Sequence, residues 1–191
     1  LPAASLQKNC VDFVFAGNVG MLQSVETIVE AARLLKDRRN IRIHIVGGGI
    51  ALDNCKKQAE GLENIIFHGR HDVAEMPAFY AMADAMLITM KDDPVLSATL
   101  PGKVQTYMAA GKPVVGAIGG ETARVVNEEA QCGMCGAPED AGGLAEIMLR
   151  IAEDDALRAR FGGNARRYYQ EYFRKEQFFA MLETVLQENC V

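Results

Sequence analysis

Apolar positions along this chain follow two alternating rhythms. "VDFVFAG" (11–17) is a short apolar run closed by glycine, the pattern of a strand covered on both faces. Val25, Ile28, Val29, Ala32 and Leu35 then fall at i, i+3, i+4, i+7 and i+10, one stripe of a helix. "IRIHIVGGG" repeats the strand pattern, and "LDNCKKQAEGL" reads as a more weakly patterned helix. "NIIFHG", "MPAFYAMAD" and "AMLITM" continue as strand, helix and strand. A loop is expected from Lys91 to Gly102. After it come an Ala-rich helix in "TLPGKVQTYMAAGKP" (99–113), a strand in "PVVGAI", a helix in "ETARVVNEEA" and a short strand in "GMCGA". From Asp140 onward the pattern is helical only, in "LAEIMLRIAEDD", "ALRARFGGNARRYYQEYF" and "KEQFFAMLETVL". Strands alternating with helices specify right-handed crossovers and a parallel sheet covered on both faces. The expected class is therefore α/β, a doubly wound parallel sheet of about six strands with extra C-terminal helices.

Composition narrows the function classes. The chain has 191 residues, 49% of them apolar, enough to bury one full core. The expected division is a linker over 1–10, cut from a longer protein, and one domain over 11–191. A net charge of −5 argues against a nucleic-acid surface, which needs clustered cations to release counterions. No apolar run is long enough to span a bilayer, and "LPAASLQKNC" lacks the charge and apolar order of a signal peptide. Five cysteines without a disulfide framework fit a reducing compartment, so a cytoplasmic location is expected. Cys132 and Cys135 form an isolated CxxC with no helix start to stabilise a thiolate. His68 and His71 in "FHGRHD" have no further metal ligands at short spacing, and no metal is expected.

In an open parallel sheet, ligands settle outside the carboxyl ends of the strands. Four loops meet that description: "GNVG" from Gly17, "GGG" from Gly47, "GRHD" from Gly69, and the long loop that ends in "TLPGK". Glycines at strand ends let a ligand approach the backbone, and several along one edge point to a phosphate-bearing ligand. Lys103, in the first turn of its helix, opposes the helix dipole by roughly 0.3 to 1 kcal/mol. A charge-assisted bond to a phosphate oxygen, about 1.5 to 3 kcal/mol, outweighs that conflict. Gly102 is thus expected to admit a phosphate and Lys103 to neutralise it. "GNVGML" is not GxGxxG, and no acidic residue follows "IHIVGGG" to grip a ribose as in a dinucleotide site. Asp92 and Asp93 lack the acidic partners after the first strand that response-regulator chemistry requires. "KDD" is no DxD metal signature.

The ordered set "FVFAGNVGMLQSVETIVEAARLL", "IHIVGGG", "NIIFHGRHDVAEMPAFYAMADAMLI", "GKVQTYMAAGKPVVGAIGGE" and "CGMCGAPEDAGGLAEIMLRIAED" resembles the C-terminal, donor-binding half of group 1 (family 4) glycosyltransferases, one Rossmann-like half of a GT-B fold. It is most similar to those of bacterial surface-polysaccharide assembly, over roughly residues 11 to 175. The resemblance implies retaining transfer of a sugar from a nucleoside diphosphate donor, most simply a UDP-sugar, with no other cofactor. It implies that Asn18 and Gly20 lie near the diphosphate or sugar, that Gly69 and Arg70 meet the base, and that Thr99, Leu100, Gly102 and Lys103 hold the diphosphate. Glu121 in "GGE" is implied near the donor pocket. Two departures stand out. The family's glutamate pair, spaced E-x7-E, is replaced here by Ala98 and Thr106, leaving only a hydroxyl where a carboxylate grips the ribose. The first loop, "GMLQS", lacks the family's basic residue, which makes Lys103 the principal cation.

The resemblance also implies an N-terminal acceptor domain absent from this chain, and a lipid-linked acceptor that would bring the enzyme to the inner membrane face. Arg158, Arg160, Arg166, Arg167, Arg174 and Lys175 surround Tyr168, Tyr169, Tyr172 and Phe173, a pattern open to a membrane-surface helix or an ordinary packing helix. Two other classes share the scaffold: the donor half of a UDP-sugar 2-epimerase, and a binding module without catalysis.

Overall fold

Six strands form one sheet in the order β3-β2-β1-β4-β5-β6, and every pairing is parallel. The structure, a computed structural model, describes residues 10–174 together with Gln177, Phe179, Glu183, Thr184 and Gln187. Residues 1–9 of the expected linker over 1–10 and most of "KEQFFAMLETVL" lie outside the described residues. The strands are β1 (Val11–Ala16), β2 (Ile41–Val46), β3 (Ile65–Gly69), β4 (Ala85–Thr89), β5 (Val114–Ala117) and β6 (Gly133–Gly136). The helices are α1 (Val25–Leu34), α2 (Leu52–Gln58), α3 (Met76–Met82), α4 (Pro94–Ser97), α5 (Gly102–Ala109), α6 (Gly120–Arg124), α7 (Ala141–Glu153) and α8 (Asp155–Tyr168). α6 and α8 each run on into a π turn, Val125–Glu129 and Tyr169–Phe173.

The apolar runs account for this arrangement. All six residues of β1 and all five of β4 are buried, which requires cover on both faces of the sheet. Side chains alternate between the faces, so Phe13, Phe15, Ala85 and Leu87 join one cluster and Val14, Ala16, Met86 and Ile88 the other. On the first face lie the apolar stripes of α1 and α7, through Val25, Ile28 and Val29 and through Leu144, Met148 and Ile151. On the second lie α5 and the α6 π turn, through Val104, Tyr107, Met108, Val125 and Val126. Tyr107 is fully buried, and its hydroxyl both accepts from the Ala16 N–H (3.2 Å) and donates to the Ala16 carbonyl (2.9 Å). That satisfies the end of β1, where a neighbour strand leaves the ladder.

The element order agrees closely with the sequence pattern, with one difference. The segment expected as a loop from Lys91 to Gly102 contains α4. Asp93 starts it, its carboxylate accepting from the Val95 and Leu96 N–H groups at 2.8 and 3.0 Å, and Pro94 fits the first helical position. The other edge of the sheet is closed by a side chain. Asn127 accepts from the Cys135 N–H at 2.8 Å and donates to its carbonyl at 3.0 Å, which occupies hydrogen-bonding groups of the edge strand β6. Two arginines of the C-terminal segment serve packing: Arg158 donates to the Ala152 carbonyl at the end of α7 (3.0 Å), and Arg166 to the Ala109 carbonyl at the end of α5. Among the described residues no helix is long and apolar enough to cross a membrane.

Candidate functional site

The strand order reverses between β1 and β4. From β1 the chain winds outward to β2 and β3, and from β4 it winds the other way, so the loops after β1 and β4 diverge and leave a crevice at the carboxyl edge. Thr89 at the end of β4 donates to the Gln23 carbonyl at 2.6 Å, and the Lys91 N–H to the Leu22 carbonyl at 2.9 Å, which fixes the base of this crevice. The glycine loops of β1 and β2 are joined backbone to backbone: Gly17 N–H to Val46 O (2.9 Å), Val19 N–H to Gly48 O (2.9 Å) and Ala51 N–H to Val19 O (3.0 Å). Gly47 shows how close that approach is. Its φ is +145°, and a β-carbon there would stand 1.8 Å from the Gly17 carbonyl oxygen.

Above these loops lies a cavity of about 600 Å³. Gly17, Asn18 and Gly47 to Gly49 give it a floor of backbone polar groups, Arg70 and His71 form a polar wall, and Val73, Met76 and Tyr80 an apolar one. Such a lining suits a ligand with a flat, partly apolar end and an anionic end. His71 is held through Nδ1, 3.1 Å from Glu75 Oε2, which also accepts from the Asp72 N–H at 3.0 Å. That backbone bond first, and His71 second, hold the Glu75 carboxyl below its usual range. Since a carboxylate only accepts, Nδ1 carries the proton in the neutral ring and Nε2 is left as an acceptor.

Lys103 reaches the same edge from the other half of the molecule. α5 presents it in its first turn, and Nζ ends 4.2 Å from the centroid of the buried Phe15 ring and 3.0 Å from where a β-carbon on Gly17 would stand. Nζ is shielded from solvent, and no hydrogen-bond partner stands within reach among the described residues. Burial lowers its pKa to about 8. A buried ammonium with only an aromatic face beneath it is costly, and the charge would be stabilised by an anion placed beside Gly17.

The structure brings some of the expected residues together and sets others apart. Gly17, Asn18, Gly47 and Arg70 line the cavity, Gly69 precedes Arg70, and Lys103, outside the lining, ends 3.0 Å from where a β-carbon on Gly17 would stand. Gly20 lies further along the first loop, where its N–H donates to Gln23 Oε1 at 3.1 Å. Thr99, Leu100 and Gly102 lead into α5 outside the cavity lining, and the Thr99 carbonyl accepts from Thr122 Oγ1 at 3.0 Å. Thr106 donates to the Gly102 carbonyl (3.3 Å) and borders a separate groove between α3 and α5. Glu121 is paired with Arg124 at 2.6 Å, which holds its carboxyl below the usual range. His71, Val73, Met76 and Tyr80 line the cavity without having been expected there. The i, i+4 spacing of Met76 and Tyr80 after "GRHD" was the available signal. Burial pushes the Cys132 thiol up to about 12 and raises Cys135 as well, opposite to a reactive pair. Among the described residues no group of three or more His, Cys, Asp or Glu is arranged to hold a metal ion.

Comparison with known proteins supplies the context. The family described as "Glycosyl transferases group 1" matches residues 11–154. A probable glycosyltransferase of Pseudomonas aeruginosa, WbjE, is 31% identical over 187 residues, covering 94% of this chain and 46% of its own length. A putative colanic acid biosynthesis glycosyl transferase of Escherichia coli K12, WcaI, is 33% identical over 100 residues, 51% of this chain and 24% of that protein. The crystal structure of Anabaena Alr3699/HepE in complex with UDP-glucose superimposes with a TM-score of 0.79 at 20% identity, over 94% of this chain and 49% of that one. The chain thus spans less than half the length of each of these proteins.

Proposed function

The chain belongs to the group 1 glycosyltransferases, and from that premise we propose that it is the donor-binding half of an enzyme that moves a sugar from a nucleoside diphosphate, a UDP-sugar, to a lipid-linked saccharide with retention at the anomeric carbon. The observation that carries this reading is the buried, unpartnered Lys103 ammonium next to Gly17, which lines a cavity at the switch point of the sheet. The base lies against Val73, Met76 and Tyr80 within reach of Arg70 and His71, and the diphosphate crosses the Gly17 and Gly47 loops toward Lys103. Thr99, Leu100 and Gly102 flank the phosphates as the chain enters α5, and Asn18, Gly20 and Glu121 lie toward the sugar; Thr106, bonded to the Gly102 carbonyl and bordering the separate groove, is not carried over as the ribose contact. As the bond from sugar to phosphate breaks, negative charge grows on the departing diphosphate. Lys103 and the N–H groups at the start of α5 stabilise that charge with groups already in position.

The acceptor side belongs to the part of the relatives that this chain does not span. Met21, Leu22, Ile50, Val73 and Val95, which are 52 to 88% exposed, all stand on the segments that follow the carboxyl ends of β1 to β4. Exposed apolar side chains collected at one edge of the sheet suit cover by a partner domain. Titration calorimetry of the chain with UDP, GDP and their sugars tests the reading. Measurable UDP binding that Lys103→Ala weakens by about 1.5 to 3 kcal/mol is expected. Absence of binding at millimolar nucleotide, or an affinity indifferent to Lys103→Ala, overturns it.

A further inference from the structure

One polar chain, buried at Asp12 and His44, lies outside the cavity lining. It begins at Asp12 of β1, which is 1% exposed and accepts from Arg42 twice, Nε to Oδ1 at 2.8 Å and Nη2 to Oδ2 at 3.2 Å. His44 of β2, 5% exposed, places Nε2 3.1 Å from Asp12 Oδ1 and Nδ1 2.9 Å from His68 Nε2. The order of groups fixes the tautomers. A carboxylate accepts only, so His44 Nε2 carries a proton, the neutral ring leaves Nδ1 bare, and His68 Nε2 must donate to it.

His68 stands at a break in the ladder. β2 and β3 pair Ile45 with Phe67 and then Val46 with Gly69, so His68 is an extra residue in β3. Such a bulge kinks a strand and re-aims the residues beyond it. Those residues are Gly69, at φ +76°, then Arg70 and His71, the polar wall of the cavity. β3 is the edge strand, paired only with β2; the ladder resumes past the bulge, where the Gly47 N–H donates to the Gly69 carbonyl at 2.8 Å, and His68 itself stands outside it. The side-chain bond from His68 to His44 supplies an anchor at that point. Phe79 of α3 packs edge-on against both His68 and His71, at centroid distances of 5.1 and 4.8 Å.

We infer that the Asp12–His44–His68 chain is a positioning device, and that His68, through its hydrogen bond to His44, aims Arg70 and His71 at the bound nucleotide. The inference rests on the proposed donor site for its ligand but not for its geometry, and the test separates the two. The backbone amide NMR signals of Gly69, Arg70 and His71 are recorded without ligand for the 191-residue chain and for His68→Phe and His68→Gln. Each protein is then titrated with UDP. Phenylalanine keeps the ring's bulk without a donor, and the glutamine amide can donate where His68 Nε2 does. His68→Phe should shift the three signals and weaken UDP binding about 5- to 10-fold, and His68→Gln should restore both to within about twofold of wild type. Unshifted signals in His68→Phe, or a His68→Gln protein as impaired as His68→Phe, overturn the inference. Failure of the wild type to bind UDP overturns the donor site instead, and the ligand-free signals still judge the positioning role. Should His68→Phe not fold, ring nitrogen NMR of the wild type decides. A proton between the two rings that resists solvent exchange supports the anchor, and freely exchanging rings remove it.

Discussion

The carboxyl edge of the sheet has two unlike halves. After β4, β5 and β6, charged side chains satisfy one another: Lys91 with Glu139 at 2.6 Å, and Arg124 with Glu121 and Glu129. The loops there are tied by Thr122 to Thr99 and by a close passage of Gly120 along the Ser97 backbone. After β1, β2 and β3 the backbone is tied as tightly, but Lys103 reaches in from α5 and ends without a partner beside Gly17. One half is complete by itself. The other holds a charge whose stabilisation must come from a ligand, so stability and binding are set against each other there and nowhere on the paired side.

Gly47 gives the sharpest way to break this comparison. A β-carbon 1.8 Å from the Gly17 carbonyl, at φ +145°, cannot be relieved by a rotamer change, because both clashing groups are backbone. Gly47→Ala should lose at least about 3 kcal/mol in chemical denaturation and empty the cavity of nucleotide. Gly61→Ala is the control. Its φ is +80° but a β-carbon there meets nothing, so a loss near 1 kcal/mol is expected. Equal losses at the two positions would mean that the joined loops are not what holds the cavity floor.

Lys103 comes next. Lys103→Met keeps an unbranched apolar side chain and removes the buried ammonium that stands over Phe15, so the ligand-free protein should gain about 1 to 3 kcal/mol while UDP binding is lost. The pH dependence has a definite sign. Burial lowers the ligand-free pKa to about 8, and a bound phosphate would raise it, so the ligand favours the protonated form. UDP affinity should be full below about pH 8 and fall above it, by up to about tenfold per pH unit until the bound-state value is reached. Ligand-free stability should move oppositely, rising with pH between about 8 and 10.5, where only the unfolded chain retains the proton. A flat affinity profile from pH 7 to 10 would separate Lys103 from the ligand.

How much of this is legible in the sequence depends on the range of the interaction. The strands and most helices are, because periodicity is local: Val25, Ile28 and Val29 state the buried face of α1 before any partner is known. The glycine loops and Lys103 can be placed on one edge because parallel sheets put strand ends together. The α4 segment is too short for periodicity to show and reads as loop, though Asp93 before Pro94 is a helix-start signal. The Asp12–His44–His68 chain is not legible. Its members come from three strands, and only the β1–β2–β3 register sets them side by side. Sequence spacing argues against a metal set in "FHGRHD" but does not point to His44, the partner of His68, 24 positions upstream.

His68 also predicts an acid effect smaller than those above. Its folded pKa is lowered, by burial first and then by His44 and His71. His44 and His71 face it, and Asp12 and Glu75 are bonded in turn to those two rings. A histidine with a depressed folded value contributes stability that is present above its ordinary pKa of 6.5 and is lost as pH falls through the lower one. Melting of wild type and His68→Gln at pH 7.5 and pH 5 should show the wild type losing more on acidification, by about 1 kcal/mol or less. Parallel losses would show that folding does not lower the proton affinity of His68.

The smallest effect belongs to the paired half, and it calibrates the rest. Lys91 and Glu139 are 41 and 40% exposed, so solvent screens their attraction and a coupling below about 0.5 kcal/mol is expected from a double-mutant cycle. The two single changes should nevertheless differ. Glu139 also accepts from the Asp92 N–H at 3.2 Å, so Glu139→Ala strips a partner from the backbone, whereas Lys91→Ala removes only one end of an exposed pair. Glu139→Ala should therefore cost more than Lys91→Ala, with UDP affinity unchanged in both variants. If either substitution moved UDP affinity as far as Lys103→Ala does, the charge on this side would also be part of the ligand's field, and the edge would work as one continuous cradle rather than as a latch beside a site.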